Sequence, residues 1–192
     1  MKDSNERQDH KVKVINMAAR NALTRKSSVS AARGRAADPS SSRRKTKTDG
    51  AIRGGNGKYQ FTLAQVKDVP AGTGYSTSHG GVVEGERMLV GYIHKERGTG
   101  SRMHTHKNEQ FNYVVRGTLV GSVNGKRIVA PAGTLIYIPA NAPHTLVAAA
   151  DDEDVIFIAI KDLSQGIIGR AVDGKMTGPH YEKGFAPGRA TK

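Results

Sequence analysis

From Tyr59 onward the chain is cut into short apolar runs by Gly, Pro and Asn, at intervals of roughly 8 to 12 residues, the punctuation of an all-β barrel or sandwich. A helix would need an apolar stripe sustained at a period near 3.6, and such stripes are nearly absent from this region. The runs predict strands over Gln60–Leu63, Met88–His94, Arg102–His106, Gln110–Arg116, Leu119–Val123, Lys126–Ala130, Thr134–Ile138, His144–Ala148 and Asp154–Lys161. Two connections support this reading. Asn124-Gly125 is the pair favoured by a type I′ hairpin, whose two central residues both need positive φ. Pro131-Ala132-Gly133 suits a tight turn with Gly at a positive-φ position.

The formal charge of +13 acquires its meaning from where it sits. Residues 1–58 carry 15 Lys and Arg against 5 acids, whereas residues 59–192 carry 15 against 12. The basic excess is thus confined to a segment poor in large apolar side chains, which cannot bury enough surface to offset the entropy of ordering it. The expected organisation is a disordered basic extension over 1–58 and one domain over 59–192, with the barrel proper at about 85–165 and an irregular tail over 166–192. Val12, Ile15, Ala19 and Leu23 recur at helical spacing and mark a short transient helix within the extension. A basic tail can contact polyanions by counterion release. Without interleaved aromatics it offers no base readout, so nucleic acid is not the expected partner. No stretch approaches the roughly 18 apolar residues of a membrane helix, and no secretory apolar run opens the chain; a cytoplasmic protein is expected.

Chemistry concentrates in GTGSRMHTHKNEQFNYVVRG, from Gly98 to Gly117. Residues two apart in a strand share a face, so His104 and His106 present both imidazoles to one side while Thr105 turns away. After a short turn at Lys107 and Asn108 the chain can return with Gln110 beside them. His144, reached through the stiff stretch from Pro139 to Pro143, can supply a third imidazole. The chain has no Cys, so any metal must be held by His, carboxylate, amide or water. Glu109 is the alternative fourth ligand, but by alternation it points away from Gln110. Asn112 should face inward with Gln110, and Arg102 could orient a substrate carboxylate through a bidentate contact.

These residues resemble the cupin family. Its first motif is matched by Gly98, His104, His106, Gln110 in the slot usually held by Glu, and Gly117; its second by Gly133, Pro139, Asn141 in a slot often held by Gly, and His144. The Asn that commonly follows that His by four residues is replaced by Ala148. The resemblance covers about residues 59–165. It implies an all-β double-stranded β-helix, or jelly-roll, barrel holding one divalent transition metal (Fe, Zn, Ni or Mn) through His104, His106, Gln110 and His144. It also implies a homodimer and a small-molecule substrate or effector.

Because cupins host many activities, the site must carry the functional argument. A neutral fourth ligand leaves the full charge on the metal and favours an anionic enolate or carboxylate. The leading expectation is an enzyme acting on a small oxygenated compound. With Fe it would be of the dioxygenase type on a diketone- or enol-like substrate; otherwise it would be of the isomerase or lyase type on a sugar-acid-like one. The alternative is a non-catalytic small-molecule-binding module. Candidates for catalytic roles are Glu109, Asn112 and Arg102.

Overall fold

Strict alternation along two long strands explains how this chain makes a barrel. In Met88–Lys95 the residues Leu89, Gly91, Ile93 and Lys95 are buried, while Val90, Tyr92 and His94 are half-buried on the other side. In Val155–Asp162 the row Phe157, Ala159 and Lys161 turns inward in the same way. Pleating converts these period-2 patterns into one dry and one wet face.

The computed structural model describes residues 45–187. Its strands are β1 (Ile52–Arg53), β2 (Asp68–Pro70), β3 (His79–Glu84), β4 (Met88–Lys95), β5 (Thr99–Gly100), β6 (His104–Thr105), β7 (Gln110–Arg116), β8 (Thr118–Val123), β9 (Lys126–Pro131), β10 (Leu135–Ile138), β11 (His144–Ala148), β12 (Val155–Asp162), β13 (Arg170–Ala171) and β14 (His180–Tyr181). They form two sheets. The first runs β1-β3-β4-β12-β7-β10 with β2 on β3, and the second runs β13-β6-β11-β5-β14 with β8 and β9 attached through β11. Between them lies a core that includes Val82, Leu89, Ile93, Val114, Ile138 and Phe157. This is the expected all-β jelly-roll. No helix among the described residues is long and apolar enough to cross a membrane.

Both expected turns are present. Asn124 and Gly125 have φ of 49° and 76°, closing the β8–β9 hairpin with Val123 opposite Lys126. Gly133 has φ of 88°. Asn141, in the slot where Gly is frequent, also has positive φ, at 62°; Asn is among the few residues with a side chain that tolerate this region.

Several expectations need correction. Residues 60–63 form no strand; a 3₁₀ turn over Leu63–Gln65 occurs there instead. The strand expected over Arg102–His106 shortens to β6, because the chain bends at once into the turn before β7. Beyond residue 166 the chain is not purely irregular: β13 pairs with β6, and β14 pairs with β5. Upstream of Tyr59, β1 lies parallel to β3, and the backbone N–H groups of Lys47 and Thr48 donate to the buried Glu84 carboxylate at 2.8 and 2.7 Å. Residues 45–58 therefore pack on the barrel. The expected disorder of residues 1–44 and the short helix near Val12–Leu23 lie outside the described residues.

Candidate metal centre

The site is assembled by strand register. His144 on β11 is paired directly with His104 on β6, which sets their rings 4.0 Å apart between centroids. His106 follows on the bend after β6, its ring 4.8 Å from that of His144 and 6.1 Å from that of His104. One ligand-capable atom from each of the three lies within 4.8 Å of the others, and all three residues are buried. The loop carrying His144 is tied to this bend, since Asn141 N–H donates to the His106 carbonyl at 2.8 Å.

The hydrogen bonds fix the tautomers. Each Nδ1 faces a backbone carbonyl: His104 that of Arg102 at 2.8 Å, His106 that of Asn108 at 2.9 Å, and His144 that of Ala142 at 2.8 Å. A carbonyl only accepts, so each Nδ1 carries the proton and each Nε2 keeps a bare lone pair. The Nε2 of His106 is buried without a hydrogen-bond partner among the described residues. Buried polar atoms are normally paired, and a metal ion satisfies a set of imidazole lone pairs whose opposite nitrogens are held by acceptors. Burial, the largest cause, lowers the pKa of His104 to about 2, of His106 to about 3 and of His144 to about 4. The three imidazoles are thus neutral and ready to ligate at pH 7.

Gln110 opens β7, buried, and its Nε2 donates to Asn112 Oδ1 at 2.5 Å. That bond engages the amide nitrogen and leaves the carbonyl oxygen as the atom of Gln110 that could ligate a metal. Asn108 is fully buried and anchors the intervening turn through Nδ2, which donates to the carbonyls of Asp162 and Gln165 at 2.6 and 2.8 Å. Asn112 faces the chamber. Glu109 does not: it is exposed and accepts from the Tyr137 hydroxyl at 2.8 Å on the outer face. Arg102 is also elsewhere, paired with Asp173 and donating to Thr177 Oγ1 at 2.5 Å, so it fastens the segment between β13 and β14. His94 stacks on His79, ring centroids 5.7 Å apart, away from the site. His79 bonds Asp68 at 2.7 Å, and His180 bonds Glu182 at 3.1 Å.

Sequence reasoning missed three contributors. Tyr75 lies beside His104, ring centroids 4.5 Å apart, and its hydroxyl accepts from Gly169 N–H at 2.7 Å. Burial raises its pKa to about 12. Lys95 and Lys161 point into the barrel, and burial lowers both to about 7. Their signal was available: each continues the inward row of a predicted strand, at a position where a lysine on an apolar face is out of place. Lys161 is also the register partner of Gln110. These side chains, with Ser76, Ser78 and Ser101, line a chamber of about 50 Å³ bounded by His104 and His144.

Residues 91–161 match the family described as "Cupin domain", a span that contains His104, His106, Gln110, His144 and both lysines. Similar solved structures include a cupin protein from Bacteroides fragilis, 24% identical over 40% of this chain and 65% of that one, with a TM-score of 0.37. Another is an RmlC-like cupin from Shewanella frigidimarina, 22% identical over 54% of this chain and 87% of that one, TM-score 0.44. A cupin-like protein from Thermotoga maritima is 28% identical over 38% of this chain and 55% of that one, TM-score 0.35. The chain thus spans about two thirds of the first and about half of the last. Curated proteins gave no significant match. The chain thus carries, over residues 91–161, a segment that matches the cupin domain, set within its jelly-roll sheets.

Proposed function

We propose that this chain is a metal-dependent enzyme acting on a small oxygenated substrate, with one divalent metal held by His104, His106, His144 and Gln110. The observation that carries the reading is the set of three buried imidazoles, each with Nδ1 tied to a carbonyl and Nε2 free. Four neutral ligands leave the full charge on the ion, which would act as a Lewis acid on a substrate carbonyl or enolate oxygen. The chain's own residues restrict what enters. A chamber of about 50 Å³ has room for roughly four water-sized groups at about 10–15 Å³ each, so the reacting part of the substrate is compact. Ser76, Ser78, Ser101 and Asn112 supply the neutral hydrogen-bonding groups that would orient it.

Diketone- or enol-like compounds suit this site with Fe, and sugar-acid-like compounds suit it with Zn, Ni or Mn. The test is to load the full chain with each metal and follow oxygen consumption and conversion of a β-diketone and of a ring-opened uronate. Turnover with one metal, absent from the metal-free protein, is expected. A second reading, a ligand-binding module without turnover, draws on the absence of any Asp or Glu among the described residues that line the chamber. It takes over if every loaded form leaves oxygen and both compounds unchanged.

A further inference from the structure

The chamber is lined by two buried lysine amines, and no acidic side chain is among its described lining residues. Lys95 is the last residue of β4, opposite Val155; Lys161 lies near the far end of β12. Both are 3% exposed, and they enter the chamber from opposite ends of the same strand pair. The Nζ of Lys95 donates to the Leu146 carbonyl at 2.7 Å and sits 5.7 Å from the centre of the Phe157 ring. The Nζ of Lys161 donates to the Ile167 carbonyl at 3.1 Å. An ammonium has three donors, so each keeps two for something else. Neither lysine joins a salt bridge among the described residues, and none of the described lining residues is acidic.

Without an anion, burial favours the neutral amines; an anionic ligand supplies the opposite charge that a buried ammonium needs and holds both lysines protonated. The other titratable lining residues, His104, His144 and Tyr75, bring no negative charge. The remaining wall is largely apolar, from Ile93, Leu146, Phe157, Ala159 and Ile167. A ligand matching both features has an anionic end and a short carbon body, which separates it from a bare inorganic anion.

We infer that Lys95 and Lys161 form an anion-binding pair inside the barrel, and that the substrate of this site is a small organic carboxylate. The inference rests on the proposed reading of the chamber as the substrate site and narrows its substrate class. Yet the pair belongs to the protein and not to the metal. It therefore recognises a carboxylate in the metal-free protein too, which separates its fate from that of the metal centre.

The experiment is calorimetric titration of the full-length protein, metal-free and metal-loaded, with malonate and with its neutral analogue malonamide. The pair predicts that malonate binds the metal-free protein at least about tenfold more tightly than malonamide does, the discrimination expected for charged against neutral hydrogen bonding. Lys95→Met and Lys161→Met should each weaken malonate by about tenfold or more while metal content is retained. Should either variant fail to fold, the malonate–malonamide ratio on the unmodified protein still decides. Equal binding of the two compounds, or malonate binding that needs metal and ignores both substitutions, would overturn the inference. Malonate binding that meets these expectations in a protein that takes up no metal would sustain the lysine pair and sink the metal-dependent enzyme.

Discussion

At the residue scale, the site is built from groups that burial keeps neutral. The histidines have folded-state pKa values of about 2 to 4 against 6.5 when exposed. As pH falls below about 6.5, the unfolded chain takes up protons that the folded metal-free chain refuses, so stability drops with pH from that point. Lys95 and Lys161 act in the same direction higher up. Between about 7 and 10.5 the unfolded chain holds protons that the folded one has released, and stability rises through that window. Thermal unfolding of metal-free protein should therefore show Tm increasing from pH 5 to pH 7.5 by several degrees. A flat profile would mean that the imidazoles are already solvated. Which residues face inward was readable from spacing alone: Gln110 and Asn112 on one side, Glu109 on the other. The ties that position the histidines were not, because backbone carbonyls leave no mark in side-chain spacing.

At the scale of elements, strands bounded by strong turn chemistry were legible nearly to the residue. β7 and β11 fall where the apolar runs place them, and the Asn124-Gly125 hairpin follows from φ preference. The short strands were not: β1, β5, β13 and β14 have two residues each, too few for any period to register. β3 escaped as well, since its glycines hide the alternation. Motif glycines have a structural reason. Gly98 has φ of 70°, and a Cβ there would meet the Phe185 ring at 2.2 Å. Gly98→Ala should therefore lower Tm through both strain and overlap, at a cost of at least about 1–3 kcal/mol. Trimming the ring with Phe185→Ala in the same chain should return part of that loss. A Gly98→Ala protein as stable as the parent would show that the segment around Phe185 is free to move aside.

At the scale of the whole molecule, the domain is closed by segments from both ends of the described chain. Thr48 Oγ1 accepts from Ile167 N–H at 2.9 Å, and β13 pairs with the strand that carries His104. The boundary expected at Tyr59 came from composition, which sees the polar character of residues 45–58 and misses the contacts that a buried Glu84 makes with their backbone. The family match, at residues 91–161, likewise covers the site and not the segments that close around it. The proposed function requires this barrel to bind one metal through His104, His106, His144 and Gln110. Its most direct test is elemental analysis of untagged full-length protein beside His104→Ala and Gln110→Ala variants whose folding has been verified. Close to one equivalent of a single divalent metal is expected in the parent, lost in His104→Ala and reduced or lost in Gln110→Ala. A folded parent that takes up no metal even after reconstitution, or a His104→Ala variant that keeps its full equivalent, would contradict it.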